Sequence, residues 1–129
     1  MEILYDSIQE GEWFKGLHPK LNNATMAPFP RNPNNEKIAK VLSYDRPDIV
    51  LIDNNSPILV LERTREVPSG HNVGQRFARL VAAAQMQVPS VYFGPYKAYK
   101  HGNDTAGPRY MNLRLFYAIK KCQKLRMLP

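Results

Sequence analysis

The stretch Pro47-Asp48-Ile49-Val50-Leu51-Ile52-Asp53-Asn54-Asn55-Ser56-Pro57-Ile58-Leu59-Val60-Leu61-Glu62-Arg63-Thr64 decides how this chain folds. Two apolar runs rich in β-branched residues flank a segment of Asp, Asn, Ser and Pro, the residues that make tight turns. The stretch therefore reads as an antiparallel hairpin. An acid stands at the outer end of each strand, with Asp48 opening the first and Glu62 closing the second. If the loop is Asn54 to Ser56, Asp53 faces Pro57 and Asp48 falls directly opposite Glu62. A loop one residue shorter or longer turns Glu62 toward the other face unless a bulge restores the register. In the favourable register, carboxylates on one face of strands roughly 4.8 Å apart can share a Mg²⁺ held at about 2.1 Å from each oxygen. Glu62 and Thr64 also share a face, because side chains alternate along a strand. The unbroken apolar runs predict burial on both sides of a sheet, which leaves acids at its rim in need of a partner charge. The plainer account of the pair is two solvated strand-end acids matched by Arg46, Arg63 or Arg65.

The rest of the composition narrows the chemistry. At 129 residues the chain fits one domain with a core large enough to need no disulfide or metal staple. The sequence contains no apolar stretch near the roughly 18 residues of a membrane span and opens with no signal-peptide pattern, so a soluble, cytoplasmic protein without a membrane partner is expected. Cys122 is the sole cysteine, and the clustered Cys and His spacing of a zinc site is missing. Any metal here would be a hard, oxygen-bound cation. The net charge is +7, and residues 97–129 carry eight Lys and Arg against the single Asp104, so the whole surplus sits in the C-terminal third. Such asymmetry favours a polyanionic partner, nucleic acid before an anionic membrane surface, against the alternative of a merely solubilising basic face.

Outward from the hairpin, residues 1–34 read as an irregular N-terminal arm. Leu4 to Phe14 can form a short amphipathic helix, but Gly16, Pro19, Pro28, Pro30 and Pro33 interrupt the chain beyond it. Trp13, Phe14 and Phe29 are expected to pack on the domain. Asn35 is an apt N-cap for a helix over Glu36 to Leu42, where Glu36 either complements the helix dipole or points a third acid at the hairpin. After the hairpin, Asn72 and Gln75 resemble a capping box opening a helix from Val73 to about Gln87. Its apolar stripe is Val73, Phe77, Leu80, Val81 and Ala84, and Gln75, Arg76 and Arg79 lie on the other side. Pro89 ends it, and Ser90 to Phe93 gives a strand that the crossover length makes parallel to the hairpin's second strand. Residues 94–129 read as a basic loop and a C-terminal helix over about Tyr110 to Leu125. Lys97, Lys100, Arg114, Lys121 and Lys124, interleaved with tyrosines, suit phosphate contacts and base packing, though a solvated helix face gives the same pattern.

The order of these elements in residues 35–93, a helix with Glu36, Pro47-Asp48 on one strand, Glu62-x-Thr64 on the next, then a helix with Gln75 and a strand at Val91, resembles the PD-(D/E)xK nuclease superfamily. The resemblance implies an α/β fold with a restriction endonuclease-like core, a mixed sheet flanked by helices on both sides. It implies a metal-dependent deoxyribonuclease that hydrolyses phosphodiester bonds, of the type II restriction endonuclease kind and of prokaryotic or phage type, with Mg²⁺ as cofactor and Mn²⁺ as its substitute. Asp48 and Glu62 become metal ligands, with Glu36 an additional acid. Cutting both strands of duplex DNA implies a homodimer. A junction resolvase or a phage or repair nuclease of the same fold is the neighbouring alternative. The chain departs from the motif where the superfamily has its lysine, since Thr64 brings a hydroxyl and no charge. Gln75, Arg76 or Arg79 on the following helix is expected to supply the missing group; the alternatives are that a second metal takes over the role or that the chain is a non-catalytic nucleic-acid-binding module. Arg63, Arg65, Arg76 and Arg79 join the C-terminal cations as candidate DNA contacts.

Overall fold

The computed structural model describes residues 1–64, 70–95, 97–99, 108–110, 113–114, 117–118 and 120–121, with backbone alone at 70–77, 98–99 and 108–110. The hairpin forms as β3 (Ile49–Asp53) and β4 (Ser56–Arg63). Its turn is only two residues long: Asn54 and Asn55 both sit at positive φ, 49° and 59°, and Asp53 faces Ser56. Asn tolerates the left-handed region better than other side chains, and two such residues match the twist of a hairpin. That turn is one residue shorter than the loop expected from the sequence. The register shift between Leu51 and Ile52 compensates, since Ile52 pairs with Pro57 while Leu51 pairs with Leu59, leaving Ile58 as the extra residue. Ile49 therefore still faces Leu61, and the next rung outward brings Asp48 opposite Glu62.

The hairpin is the centre of a mixed sheet of order β2-β1-β3-β4-β5. β1 (Glu2–Tyr5) runs antiparallel to β3 and parallel to β2 (Thr25–Pro28), and β5 (Ser90–Phe93) runs parallel to β4 as expected. The reading of residues 1–34 as an irregular arm is thus corrected. They form an inner strand, helix α1 (Ile8–Lys15), a 3₁₀ turn (Pro19–Leu21) and an edge strand. β1 is too short to show a period of its own, with only Ile3 and Leu4 as its buried pair. The Pro28 of β2 is tolerated because an edge strand can do without a donor. α1 comes close to β1 at Gly11, where a Cβ would lie 2.8 Å from the Tyr5 ring.

Alternation splits the core into two layers. Ile3, Ile49, Leu51 and Leu61 join Phe14 of α1 on one face. Leu4, Val50, Ile52 and Val60 join Val41 and Leu80, from α2 (Glu36–Val41) and α3 (Gly70–Gln85), on the other. Helices on both faces explain the unbroken apolar runs of β3 and β4. Asn35 caps α2 through Oδ1, which accepts from the Lys37 and Ile38 N–H groups. α3 begins at Gly70, so Asn72 lies in its first turn rather than at its cap. Within the expected basic loop, β6 (Lys97–Tyr99) and β7 (Pro108–Tyr110) pair antiparallel as a separate ribbon. Of the expected C-terminal helix, 113–114, 117–118 and 120–121 are helical, and its remaining positions lie outside the described residues. Among the described residues no helix is long and apolar enough to cross a membrane.

Candidate functional site

The open end of the hairpin carries the site. Buried Pro47 leads into β3, and the Asp48 carbonyl accepts the Asp6 N–H at 3.0 Å, which ties the start of β3 to the end of β1. Asp48 and Glu62 are each two residues beyond a core residue of the α2/α3 face, Val50 and Val60, so both side chains belong to that face. The Asp48 N–H donates to Glu62 Oε2 at 3.2 Å, and the Arg63 N–H donates to Asp48 Oδ2 at 2.7 Å. Glu62 has no solvent exposure, and Thr64 on the same face is also buried. The two acids that the sequence pairs are therefore brought together, by a different route through the turn.

A cation from α3 completes the cluster. Arg79 Nη1 donates to Glu62 Oε1 at 2.8 Å, and its Nε donates to Asp45 Oδ2 at 2.9 Å. Asp45 also accepts the Arg46 N–H at 2.7 Å. Burial acts to raise the Asp45 pKa, but the bonds from Arg79 and the Arg46 N–H, together with the Arg79 charge, outweigh it and hold the carboxyl below its usual range. For Arg79 burial acts downward and is outweighed by Asp45 and Glu62, so its pKa is raised. The expectation that Arg79 lies on the side of the helix away from the core is corrected, because its guanidinium is turned to the sheet. One turn further on, Ala83 is fully buried, and that i, i+4 relation is the signal by which the sequence could have revealed it. Asp45 is absent from the sequence-derived set. It sits in the loop before Pro47, with no periodic pattern to mark its direction.

Other expected residues are placed elsewhere. Glu36 is exposed and pairs with Lys40 at 3.0 Å across one helical turn. α2 is fastened to the turn end of the hairpin, where Asn35 Nδ2 donates to the Asn55 carbonyl at 2.6 Å and Lys37 Nζ to Ser56 Oγ at 3.1 Å. The length of β3, about 17 Å at roughly 3.4 Å per residue, separates that end from Asp48. Glu36 is therefore not joined to the acid pair. Arg63 alternates to the opposite face, where its guanidinium stacks 3.9 Å from the Trp13 ring centroid and pairs with Glu10 at 2.9 Å. Trp13 in turn meets Phe93 at 5.3 Å, so Arg63 ties α1 to the sheet. Gln75 and Arg76 lie in the first two turns of α3, with side chains outside the described residues. Lys97, Arg114 and Lys121 are exposed, and Arg65, Lys100 and Lys124 lie outside the described residues.

The donor set is all oxygen, which suits a hard divalent cation. Mg²⁺ is commonly held by one or two carboxylates, with water and substrate phosphate filling the remaining positions. Among the described residues no group of three or more His, Cys, Asp and Glu gathers as a ligand set, so Asp48 and Glu62 would form a two-carboxylate site. No family model matches the chain, and neither a curated protein nor a solved structure matches it.

Proposed function

We propose that this chain is a Mg²⁺-dependent deoxyribonuclease of restriction endonuclease-like type, with Asp48 and Glu62 as the ligands of the ion. The observation that carries this reading is the facing of two carboxylates at the ends of β3 and β4, one of them fully buried. Burying a carboxylate is costly unless a cation or hydrogen bonds offset it, so such a residue at a strand end points to a task. With an ion bound, the chemistry supplied there would be Lewis acidity toward a phosphate oxygen and a lowered water pKa, so that a water gives up a proton and hydroxide is the nucleophile. Asp48 and Glu62 orient the ion through oxygens fixed by the Asp48 and Arg63 N–H groups. The Thr64 hydroxyl shares the face of Glu62 and can hold water or a phosphate oxygen by hydrogen bonds. Arg79 is a nearby cation, suited to clamp phosphate but not to shuttle protons, since arginine stays charged at working pH. Exposed Lys97, Arg114 and Lys121 supply phosphate contacts along a duplex, and two copies of the chain, each cutting one strand, account for a double-strand break.

A second reading, a non-catalytic nucleic-acid-binding module, draws on the uncharged Thr64 at the superfamily's lysine position. One experiment separates the two. Duplex, junction and single-stranded DNA are incubated with the wild-type chain, Asp48→Asn and Glu62→Gln in Mg²⁺, Mn²⁺ or EDTA. The nuclease reading expects cleavage that needs the ion and is lost in both variants. Salt-sensitive binding without cleavage in any ion would favour the binding module. Cleavage that survives both substitutions would place the site elsewhere.

A further inference from the structure

The guanidinium of Arg79 joins two acids of unequal character. Glu62, on Nη1, is fully buried, whereas the Asp45 side chain, on Nε, keeps 42% of its exposure. The Arg79 side chain is itself 28% exposed, so it spans from the buried end of the site to solvent. Its Nη2 makes no hydrogen bond among the described residues. A buried carboxylate needs a counter-charge, and arginine provides one at every working pH. Glu62 Oε1 is the oxygen that Arg79 holds. If Glu62 is an ion ligand, offering that oxygen to a divalent cation sets a second positive charge within a few ångströms of the guanidinium, and the two repel strongly where water is scarce. Asp45 offers a second anchor that leaves with neither.

We propose that Arg79 is a displaceable counter-ion of Glu62 and that Asp45 is the positioning residue that keeps it at the site. Glu62 releases Nη1 when it ligates the ion, Asp45 retains Nε, and the released edge of the fork turns to the phosphate. This supplies the positive group that Thr64 lacks. It also guards against ion binding without use, because Glu62 and Arg79 remain matched until a stronger cation arrives. The proposal rests on the reading of Asp48 and Glu62 as ligands.

The test uses Mg²⁺ alone, without DNA. Arginine side-chain ¹H–¹⁵N spectra of the folded wild-type chain are followed through a Mg²⁺ titration, and Mg²⁺ affinity is measured by calorimetry for wild type, Arg79→Gln and Asp48→Asn. The expected result is that the Arg79 Nη protons lose protection as Mg²⁺ saturates while the Nε proton keeps it, and that Asp45→Ala removes the Nε protection. Arg79→Gln should bind Mg²⁺ roughly tenfold more tightly than wild type, since a competing charge-assisted hydrogen bond is gone. A merely structural Arg79 would lower stability without raising ion affinity. Unchanged Arg79 signals at saturating Mg²⁺, or no gain in affinity in Arg79→Gln, would overturn the exchange while leaving the ligands in place. Wild-type chain that takes up no Mg²⁺ would overturn the ligand reading and the exchange together. The spectra need no variant, so they decide the matter even if Arg79→Gln fails to fold.

Discussion

Thr64 packs closely against Gly94, the residue just past β5. A Cβ at Gly94 would lie 2.5 Å from Thr64 Cγ2 and 3.2 Å from the Thr64 carbonyl oxygen, so Gly94→Ala has to push β4 and the strand end of β5 apart. Overpacking of this kind costs about 1–3 kcal/mol, which urea denaturation would register as a lower midpoint with unchanged slope. Adding Thr64→Ser removes the methyl and should recover most of that loss, while Thr64→Val keeps it and should not. Asp45 carries a pH-dependent share of the stability. Its pKa is held below the ordinary 3.8, so the folded chain keeps the carboxylate charged where the unfolded chain takes up a proton. That contribution is complete above the unfolded value and is lost as pH falls through the folded one. Asp45→Asn should therefore be less stable than wild type at pH 7, with the difference shrinking below about pH 4 in a denaturation series. The raised pKa of Arg79 acts at the opposite extreme, its stabilisation fading only in strong alkali, so it leaves the acid limb unaffected.

Elements whose sequence carries a period or a cap are legible, and those that depend on distant partners are not. Helix α2 is a case of the first kind, because Asn35 caps it by the bonds that an N-cap Asn makes anywhere. Asn35→Ala also removes the bond to the Asn55 carbonyl, and a loss of about 1–2 kcal/mol is expected, measurable as a lowered urea midpoint. The same strand-and-turn logic that reveals β3 and β4 says nothing of β1, whose place between β2 and β3 is set by pairing partners far along the chain. The facing of Asp48 and Glu62 is legible as a consequence of register, yet the residue that makes the register work lies in the bulge at Ile58 and not in the loop. Glu36 escapes sequence reasoning for a related reason. Capping chemistry fixes where a helix begins but not which end of a hairpin it docks against. Arg79 and Asp45 meet across 34 residues, and neither lies in a pattern that announces the other.

At the scale of the whole molecule, a parallel βαβ unit lies at each edge of the sheet, β1-α1-β2 on one side and β4-α3-β5 on the other, and the central hairpin joins them. Removing residues 1–5 would delete an inner strand, expose the edge of β3 and strip both core layers of a member, Ile3 from one and Leu4 from the other. We expect that truncation to lose cooperative unfolding by circular dichroism and to aggregate on gel filtration, and Ile3→Asp to do the same by burying a charge. The inner position of β1 also bears on how the chain matures. On the ribosome β1 is made well before β3, so it can form its parallel pairing with β2 but must wait for its second neighbour. Docking of the β3–β4 hairpin on β1 also brings the Asp6 N–H onto the Asp48 carbonyl. The acid pair thus receives its backbone support only when the hairpin docks, from a segment synthesised before it.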